Sequence, residues 1–156
     1  MTTKKINLPY KSVEFTFHQG NNSSWWSAQL VIDIIAIEFY INLPSDQTNE
    51  VDWKDVADLI TTLDYPHRLH YLVAHAQTLA TAVGEAFFKG GSEQYEMQFS
   101  KSIHYKGKDH YGSSNYAKWE ISFTYGTPDR TDGDAYGDYI VDFAGSQIIG
   151  ARRIQV

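Results

Sequence analysis

The sequence predicts an α+β fold, in which a mostly antiparallel sheet of about six to seven strands has two consecutive helices packed on one face. Three observations support this prediction. Apolar residues alternate with polar ones in the first and last thirds of the chain, as in half-buried strands. The middle third repeats its apolar residues every three or four positions, as in helices. Long strand–helix–strand alternation, which a parallel sheet needs, is missing.

The first predicted strand is SVEFTFHQ, in which Val13, Phe15 and Phe17 alternate with polar residues. The next segment runs from Trp25 to Leu43, and its alternation slips by one residue near Asp33–Ala36. Such a slip turns every later side chain to the opposite face unless a turn or a bulge absorbs it. We therefore predict two strands that meet near Asp33–Ala36, with one bulged strand as the alternative.

Two helices are predicted next. Thr48 or Asn49 is expected to cap the first, because short polar side chains accept hydrogen bonds from first-turn amides. Asp64 is expected to cap the second, which has Pro66 in its first turn and stops at Gly90–Gly91. Helically spaced apolar residues define the buried faces: Val56, Leu59, Ile60 and Leu63 in the first helix, and Leu69, Leu72, Val73, Ala76, Leu79, Ala80, Val83 and Phe87 in the second.

After the glycines the chain returns to the alternation of strands. The predicted strands cover Tyr95–Phe99, Ala117–Tyr125, Tyr139–Phe143 and Ile148–Ile154. The turn at Gly145–Ser146 separates the last two. All these elements are expected to form a single globular domain, residues 1–156.

Composition excludes several classes of function. The chain has no cysteine, which rules out disulfides, thiol nucleophiles and thiolate zinc sites. The lysines near the N-terminus precede no apolar run, so we expect no signal peptide, no membrane partner and a cytoplasmic location. The net charge of −6 disfavours direct nucleic-acid binding and favours either a basic protein partner or only solubility.

The stretch DRTDGDAYGDYIVDF, residues 129–143, concentrates five aspartates and one arginine. A calcium loop of the EF-hand type needs oxygen ligands at positions 1, 3 and 5, glycine at 6 and glutamate at 12. With Gly133 at position 6, Arg130 falls at position 3; with Gly137 there, Tyr136 falls at 5 and Phe143 at 12. Both registers fail, so we predict a hairpin loop rich in turn residues and no metal.

The other candidate sites are weaker. His67, His70 and His75 lie on the second predicted helix, but neither an HExxH motif nor a cysteine accompanies them, so zinc is not expected. Glutamates also occupy polar strand positions, where two of them in proximity would form an acid–base pair of the glycosidase kind. Alternating glutamates more often mark a solvated face. These glutamates are Glu14, Glu38, Glu96 and Glu120.

Trp25 and Trp26 follow a polar turn at the start of a strand. Neighbouring strand residues point to opposite faces, so at most one of the two enters the core and the other lies at the surface or a rim. Tyr136 lies inside the acidic stretch. Exposed rings beside charges are typical of interface hot spots, and they also stack on sugars. The alternative is that they cover the ends of the core.

An acidic, cysteine-free α+β domain with aromatic rings near its loops resembles the small immunity proteins of bacterial toxin–immunity systems. The resemblance lies in size, composition and the strand–helix–strand order. It implies a protein-binding inhibitor without enzymatic activity or cofactor, which blocks a cognate toxin domain. Where the toxin is a nuclease, its cleft is basic, and aspartates match it. The expected partner-binding residues are Asp129, Asp132, Asp134, Tyr136, Asp138, Trp25 and Trp26.

Two other functions stay open. A small-ligand or carbohydrate-binding module would use Trp25, Trp26 and loop tyrosines. A small hydrolase would use a pair of carboxylates, and a cleft holding two close carboxylates would favour it.

Overall fold

A computed structural model describes residues 1–43, 51–87, 96–111, 114–126 and 137–154. Four strands precede two helices, and four strands follow them. In chain order the elements are β1 (Thr3–Asn7), β2 (Ser12–Gln19), β3 (Ser24–Ile32), β4 (Ile35–Leu43), α1 (Trp53–Leu63), α2 (Arg68–Phe87), β5 (Glu96–Tyr111), β6 (Ser114–Gly126), β7 (Asp138–Ala144) and β8 (Gln147–Ile154).

The strands form one eight-stranded sheet in the order in which they occur in the chain. All neighbouring pairs are antiparallel except β4 and β5, which are parallel because the two helices connect them. The predicted α+β class is confirmed, with eight strands instead of six or seven. The additional strand is β1, whose sequence TKKIN has a single buried residue, Ile6, and so gives no alternating pattern.

The segment from Trp25 to Leu43 is two strands, as predicted. Ile32 pairs with Ile35, so Asp33 and Ile34 form a two-residue turn. Both turn residues have positive φ, 49° at Asp33 and 60° at Ile34. Positive φ at both central positions is the geometry of the type I′ turn, which matches the twist of the strands it joins. The turn also absorbs the slip in the alternation, so both strands keep their apolar residues on one face.

The core lies between one face of the sheet, here called the inner face, and the two helices. Phe15 of β2 packs on Trp53 of α1 with ring centroids 5.3 Å apart, and Tyr125 of β6 contacts Gly84 of α2. The predicted stripe of α2 faces this core: Leu69, Leu72, Ala76 and Ala80 are buried, and Val73, Leu79 and Val83 are half-buried. The sheet thus has its helices on one face, as predicted.

The predicted cap of α2 is wrong. The carboxylate of Asp33, in the β3–β4 turn, accepts hydrogen bonds from the backbone N–H groups of His67 (2.9 Å) and His70 (3.0 Å) at the start of the helix. Asp64 instead accepts the backbone N–H of Asp33 at 2.7 Å and lies 3.3 Å from the ammonium group of Lys11. A residue 37 positions away therefore caps the helix, and only the tertiary fold brings it there.

The N-cap of α1 is Asp52, whose side chain accepts the backbone N–H of Asp55. The predicted caps Thr48 and Asn49 lie outside the described residues. Neither described helix combines the length and the apolar character needed to cross a bilayer.

Candidate functional site

The face of the sheet opposite the helices, here called the outer face, has no helix on it in the described part of the chain. Side chains alternate between the two faces along each strand, so the residues between the core positions project here. Most of them are polar or aromatic, and their exposure ranges from the buried Glu120 to the exposed Glu38 and Lys118. The residues used below are His18 of β2, Trp25 and Ser27 of β3, Glu38, Tyr40 and Asn42 of β4, His104 and Lys106 of β5, Lys118 and Glu120 of β6, Asp142 of β7 and Arg152 of β8.

Five of these side chains form a line across five strands, here called the polar row. The row consists of Ser27, Tyr40, His104, Glu120 and Asp142. Each residue pairs with the next in the register of the sheet: Ser27 with Tyr40, Tyr40 with His104, His104 with Glu120, and Glu120 with Asp142. Directly opposed side chains in a sheet lie close enough to interact, so the row is a continuous line of neighbouring side chains.

Aromatic rings occupy one half of the outer face. Tyr40 and His104 stack with centroids 4.8 Å apart, and Trp25 stacks on His18 at 5.3 Å. The Tyr40 hydroxyl donates to Glu38 at 2.8 Å, and this bond, together with burial, raises the pKa of Tyr40. These contacts fix the rings in place before any partner arrives.

The hydrogen bonding of His104 defines which of its ring nitrogens carries the proton. Asn42 Nδ2 lies 3.1 Å from His104 Nδ1 and can only donate, so Nδ1 accepts and the proton of the neutral ring is on Nε2. Burial lowers the pKa of His104, which keeps the ring neutral at neutral pH. Its Nε2–H is therefore a donor on the outer face.

Charged side chains occupy the other half of the outer face. The Glu120 side chain is 11% exposed, with Arg152 Nη2 at 3.0 Å and Lys106 Nζ at 3.4 Å. Arg152 also forms an ion pair with Asp142. Burial by itself would raise the pKa of Glu120, but the hydrogen bond from Arg152 and the charge of Lys106 outweigh it, and the pKa is lowered. These residues, with Lys118 and Ile149, line a cavity of about 360 Å³.

Two neighbouring carboxylates on the outer face could in principle serve catalysis. Glu120 and Asp142 are two close carboxylates, which is the arrangement a small hydrolase would need. A general acid, however, needs a raised pKa so that it holds a proton at neutral pH. Arg152 bridges the two carboxylates, and its hydrogen bond to Glu120 helps to lower the pKa of Glu120. The two carboxylates are therefore better suited to keep this part of the outer face ordered than to transfer protons.

Some of the predicted partner-binding residues lie outside the described part of the chain, and the others lie within it. Asp129, Asp132, Asp134 and Tyr136 lie outside the described residues, in the connection between β6 and β7. Asp138, the first residue of β7, is half-buried opposite Thr124.

The two tryptophans separate as predicted. Trp26 is buried in the core, with its ring 5.1 Å from those of Phe17 and Trp53, while Trp25 is half-buried on the outer face. Only Trp25 is therefore placed to touch a partner.

Trp25 and Asp138 are not neighbours. Four steps between adjacent strands separate them, and through the register Trp25 aligns with the far end of β7, near Phe143. At about 4.8 Å per strand and about 3.3 Å per residue, they lie roughly 25 Å apart. A standard protein interface, about 800 Å² on each partner, covers that distance, whereas a small ligand does not. The polar row lies between them.

The histidines of α2 do not form a site. The Nδ1 atom of His70 lies 2.9 Å from the Asp33 carboxylate. Among the residues that the structure describes, no three His, Asp or Glu side chains are grouped closely enough to hold a metal ion. The expectation of no intrinsic metal remains a prediction, because it also concerns residues 129–136.

Comparison with protein-family models found no match. Comparisons with curated proteins and with solved structures found no significant match either.

Proposed function

We propose that this protein is an immunity-type inhibitor, which binds a cognate toxin domain in the bacterial cytoplasm and blocks it. The observation that supports this proposal best is the outer face of the sheet, with its ordered polar row, which no helix covers among the described residues. Interfaces are enriched in aromatic side chains and arginine, and Trp25, Tyr40 and Arg152 lie on this face. The fixed positions of these side chains reduce the conformational entropy lost on binding.

The charge of the chain indicates a basic partner. Residues 129–142 contain five aspartates and one arginine, so they contribute −4 of the net charge of −6. Residues 127–137 join β6 to β7, and Asp138 begins β7. A high density of carboxylates complements a cationic cleft, such as the active site of a nuclease, and attracts it over a distance.

Binding is favoured over catalysis by the state of the carboxylates. The lowered pKa of Glu120 keeps it ionised, so it is a poor general acid. We therefore propose that Glu120, Asp142 and Arg152 order the surface and contact the partner, and that the chain has no enzymatic activity of its own.

The direct test begins with the gene neighbourhood: a toxin-like reading frame next to that of this chain would supply the partner, and its absence would count against the proposal. Co-expression should restore the growth of cells that produce the toxin domain, and the two purified proteins should form a stable complex. Persistent toxicity, together with the absence of a complex, would remove the proposed function.

Two sets of substitutions locate the interface. Asp132→Asn, Asp134→Asn and Asp138→Asn combined should slow association about tenfold at low salt and flatten its salt dependence. Tyr40→Ala with His104→Ala should mainly accelerate dissociation. Tyr71→Ala, a matched change on the exposed side of α2, should alter neither rate. Equal rates for all three variants would place the interface elsewhere.

A carbohydrate-binding module is the second candidate, because Trp25 and Tyr40 lie on the same face of neighbouring strands. Sugars stack on the faces of exposed rings, but each of these rings has a face turned towards a histidine, His18 or His104. Titration with a soluble glucan oligosaccharide, followed by tryptophan fluorescence, distinguishes the two functions. Saturable quenching that Trp25→Ala abolishes would favour sugar binding.

A further inference from the structure

A cavity of about 580 Å³ lies away from the outer face, where the β1–β2 turn meets the end of α1 and the connection to α2. Its size is that of a ligand pocket. Its lining includes two prolines, two tyrosines, a leucine and a threonine. They are Leu8, Pro9 and Tyr10 from the turn, and Thr61, Tyr65 and Pro66 from the helical side.

The two tyrosines of this cavity project into solvent. Tyr10 is 93% exposed and Tyr65 is 68% exposed. A single exposed tyrosine is ordinary on a protein surface, but here two rings and two prolines border one cavity. The cavity thus presents exposed aromatic rings beside proline side chains.

The charges in the cavity wall are already neutralised. Lys11 lies 3.3 Å from Asp64 and donates to the carbonyl of Val31. The second carboxylate oxygen of Asp64 accepts the backbone N–H of Asp33. The hydroxyl of Thr61 donates to the carbonyl of Ala57. A charged ligand would have to compete with these contacts.

Hydrogen-bond donors remain available at the rim. In the described part of the chain, the hydroxyls of Tyr10 and Tyr65 make no hydrogen bond with other protein groups. Each is a donor that can turn towards an acceptor. The complementary ligand is an uncharged, apolar chain with unused carbonyl oxygens.

We propose that this cavity binds a proline-containing segment of a partner protein in the polyproline II conformation. Polyproline II has no internal hydrogen bonds, so its carbonyls are free to accept from the two tyrosine hydroxyls. Its proline rings pack against aromatic and proline side chains, which is how grooves lined by aromatic residues select such segments. The conformation is ordered before binding, which limits the entropy lost in the complex. The proposal does not depend on a toxin partner at the outer face.

The test is a titration of the ¹⁵N-labelled protein with the blocked peptide acetyl-(Pro)10-amide, followed by NMR. The resonances that move should be those of residues 8–11 and 61–65, with those of the polar row unchanged. A blocked decapeptide of alternating glycine and serine, which has the same length but no preformed polyproline II, should move them at least fivefold less at equal concentration. If decaproline moves no resonance at millimolar concentration, or moves those of the outer face, the proposal is wrong.

Two double variants separate the rings from their hydroxyls. Tyr10→Ala with Tyr65→Ala should weaken decaproline binding at least tenfold, and Tyr10→Phe with Tyr65→Phe should weaken it by a smaller factor. Tyr71→Ala, which removes a tyrosine 61% exposed on α2, serves as the control and should bind like the unmodified protein. Equal binding by the alanine double variant would overturn the proposal.

A second probe distinguishes the peptide from a small aromatic ligand. If indole moves the resonances of residues 8–11 and 61–65 and decaproline does not, the cavity takes a small aromatic molecule and the proposal fails. Both titrations use only the purified chain. A negative result here therefore leaves the proposed inhibition of a toxin domain to be decided by its own experiment.

Discussion

Ile34 combines a left-handed backbone with an exposed side chain, and this combination predicts that glycine at this position stabilises the protein. Its φ is 60° and its side chain is 88% exposed. A left-handed conformation costs an L-residue roughly 1–2 kcal/mol, and a β-branched side chain is among the least tolerant of it. Because this side chain is so exposed, its burial contributes little free energy to offset the strain. Ile34 is thus strained without a compensating contact in the core.

The expected gain follows from two opposing terms. Ile34→Gly removes about 1–2 kcal/mol of strain, but glycine is more flexible in the unfolded chain, which costs roughly 0.5–1 kcal/mol. The net stabilisation is about 0.5–1 kcal/mol. For a chain of this size, that corresponds to a rise in melting temperature of roughly 1–4 °C.

Urea denaturation and calorimetry of three variants test this reasoning. Ile34→Gly should have the highest midpoint and Ile34→Asn the next, because asparagine tolerates the left-handed region better than most residues. Ile34→Ala keeps the Cβ atom and should gain least. If the glycine variant is no more stable than the unmodified protein, or if alanine gains as much as glycine, the argument from strain is refuted.

Three further predictions concern the core, a close contact and the cap of α2. Leu72→Ala should lower the free energy of unfolding by about 2–5 kcal/mol, whereas Tyr71→Ala on the exposed side of α2 should change it by less than about 0.5 kcal/mol. If the two variants have similar denaturation midpoints, the face of α2 that contains Leu72 is not in the core. Gly84→Ala would place a Cβ atom against the Tyr125 hydroxyl oxygen, closer than van der Waals contact allows, so it should destabilise the fold by about 1–3 kcal/mol. Adding Tyr125→Phe removes this oxygen and should restore part of the loss, and no recovery in urea denaturation would mean that the hydroxyl is not the cause. Burial opposes ionisation of Asp33, but the hydrogen bonds from His70 and His67 outweigh it, so its folded-state pKa lies below the value in the unfolded chain. The stability that Asp33 contributes is therefore complete above about pH 4 and is lost as the pH falls through its folded-state pKa, and Asp33→Asn should flatten this part of the profile of unfolding midpoint against pH.

Patterns local in sequence predicted most of the fold. The alternation of Val13, Phe15 and Phe17 depends only on which face of the strand is buried. Val13 and Phe15 belong to the core, and Phe17 packs against it. The phase slip near Asp33–Ala36 also has a local cause, because a two-residue turn with two left-handed residues joins the strands there. Such features need no knowledge of distant neighbours.

Features that depend on distant contacts were missed. β1 has one buried residue, Ile6, and it exists because its backbone pairs with β2. Asp64 is well placed in sequence to cap α2, but Asp33 has this role because the β3–β4 turn packs against the start of the helix. Sequence spacing ranks capping candidates by proximity along the chain and gives no weight to a carboxylate from another element.

The polar row could be predicted only in part. Alternation identified Glu120 as a polar strand position, but the row depends on which strands are neighbours. Tyr40 meets His104 because β4 pairs in parallel with β5 across two helices, and that pairing has no signature within either strand. The sequence therefore indicated that the outer face is polar, while the order of the sheet determined which side chains touch.

The ordered outer face and the acidic β6–β7 connection are suited to different parts of one binding reaction. In the polar row, stacking holds the Tyr40 ring and ion pairs hold Glu120, so these groups lose little freedom when a partner covers them. Contacts of this kind mainly determine how slowly a complex dissociates. The aspartates of residues 129–138 contribute charge, which acts at a distance and mainly accelerates association at low salt. If both regions contact one partner, substitutions in the row should change dissociation and substitutions of the aspartates should change association. The effects of Tyr40→Ala and Asp138→Asn on affinity should be nearly additive, because three strand steps of about 4.8 Å separate these residues, beyond the roughly 7–10 Å over which substitutions couple.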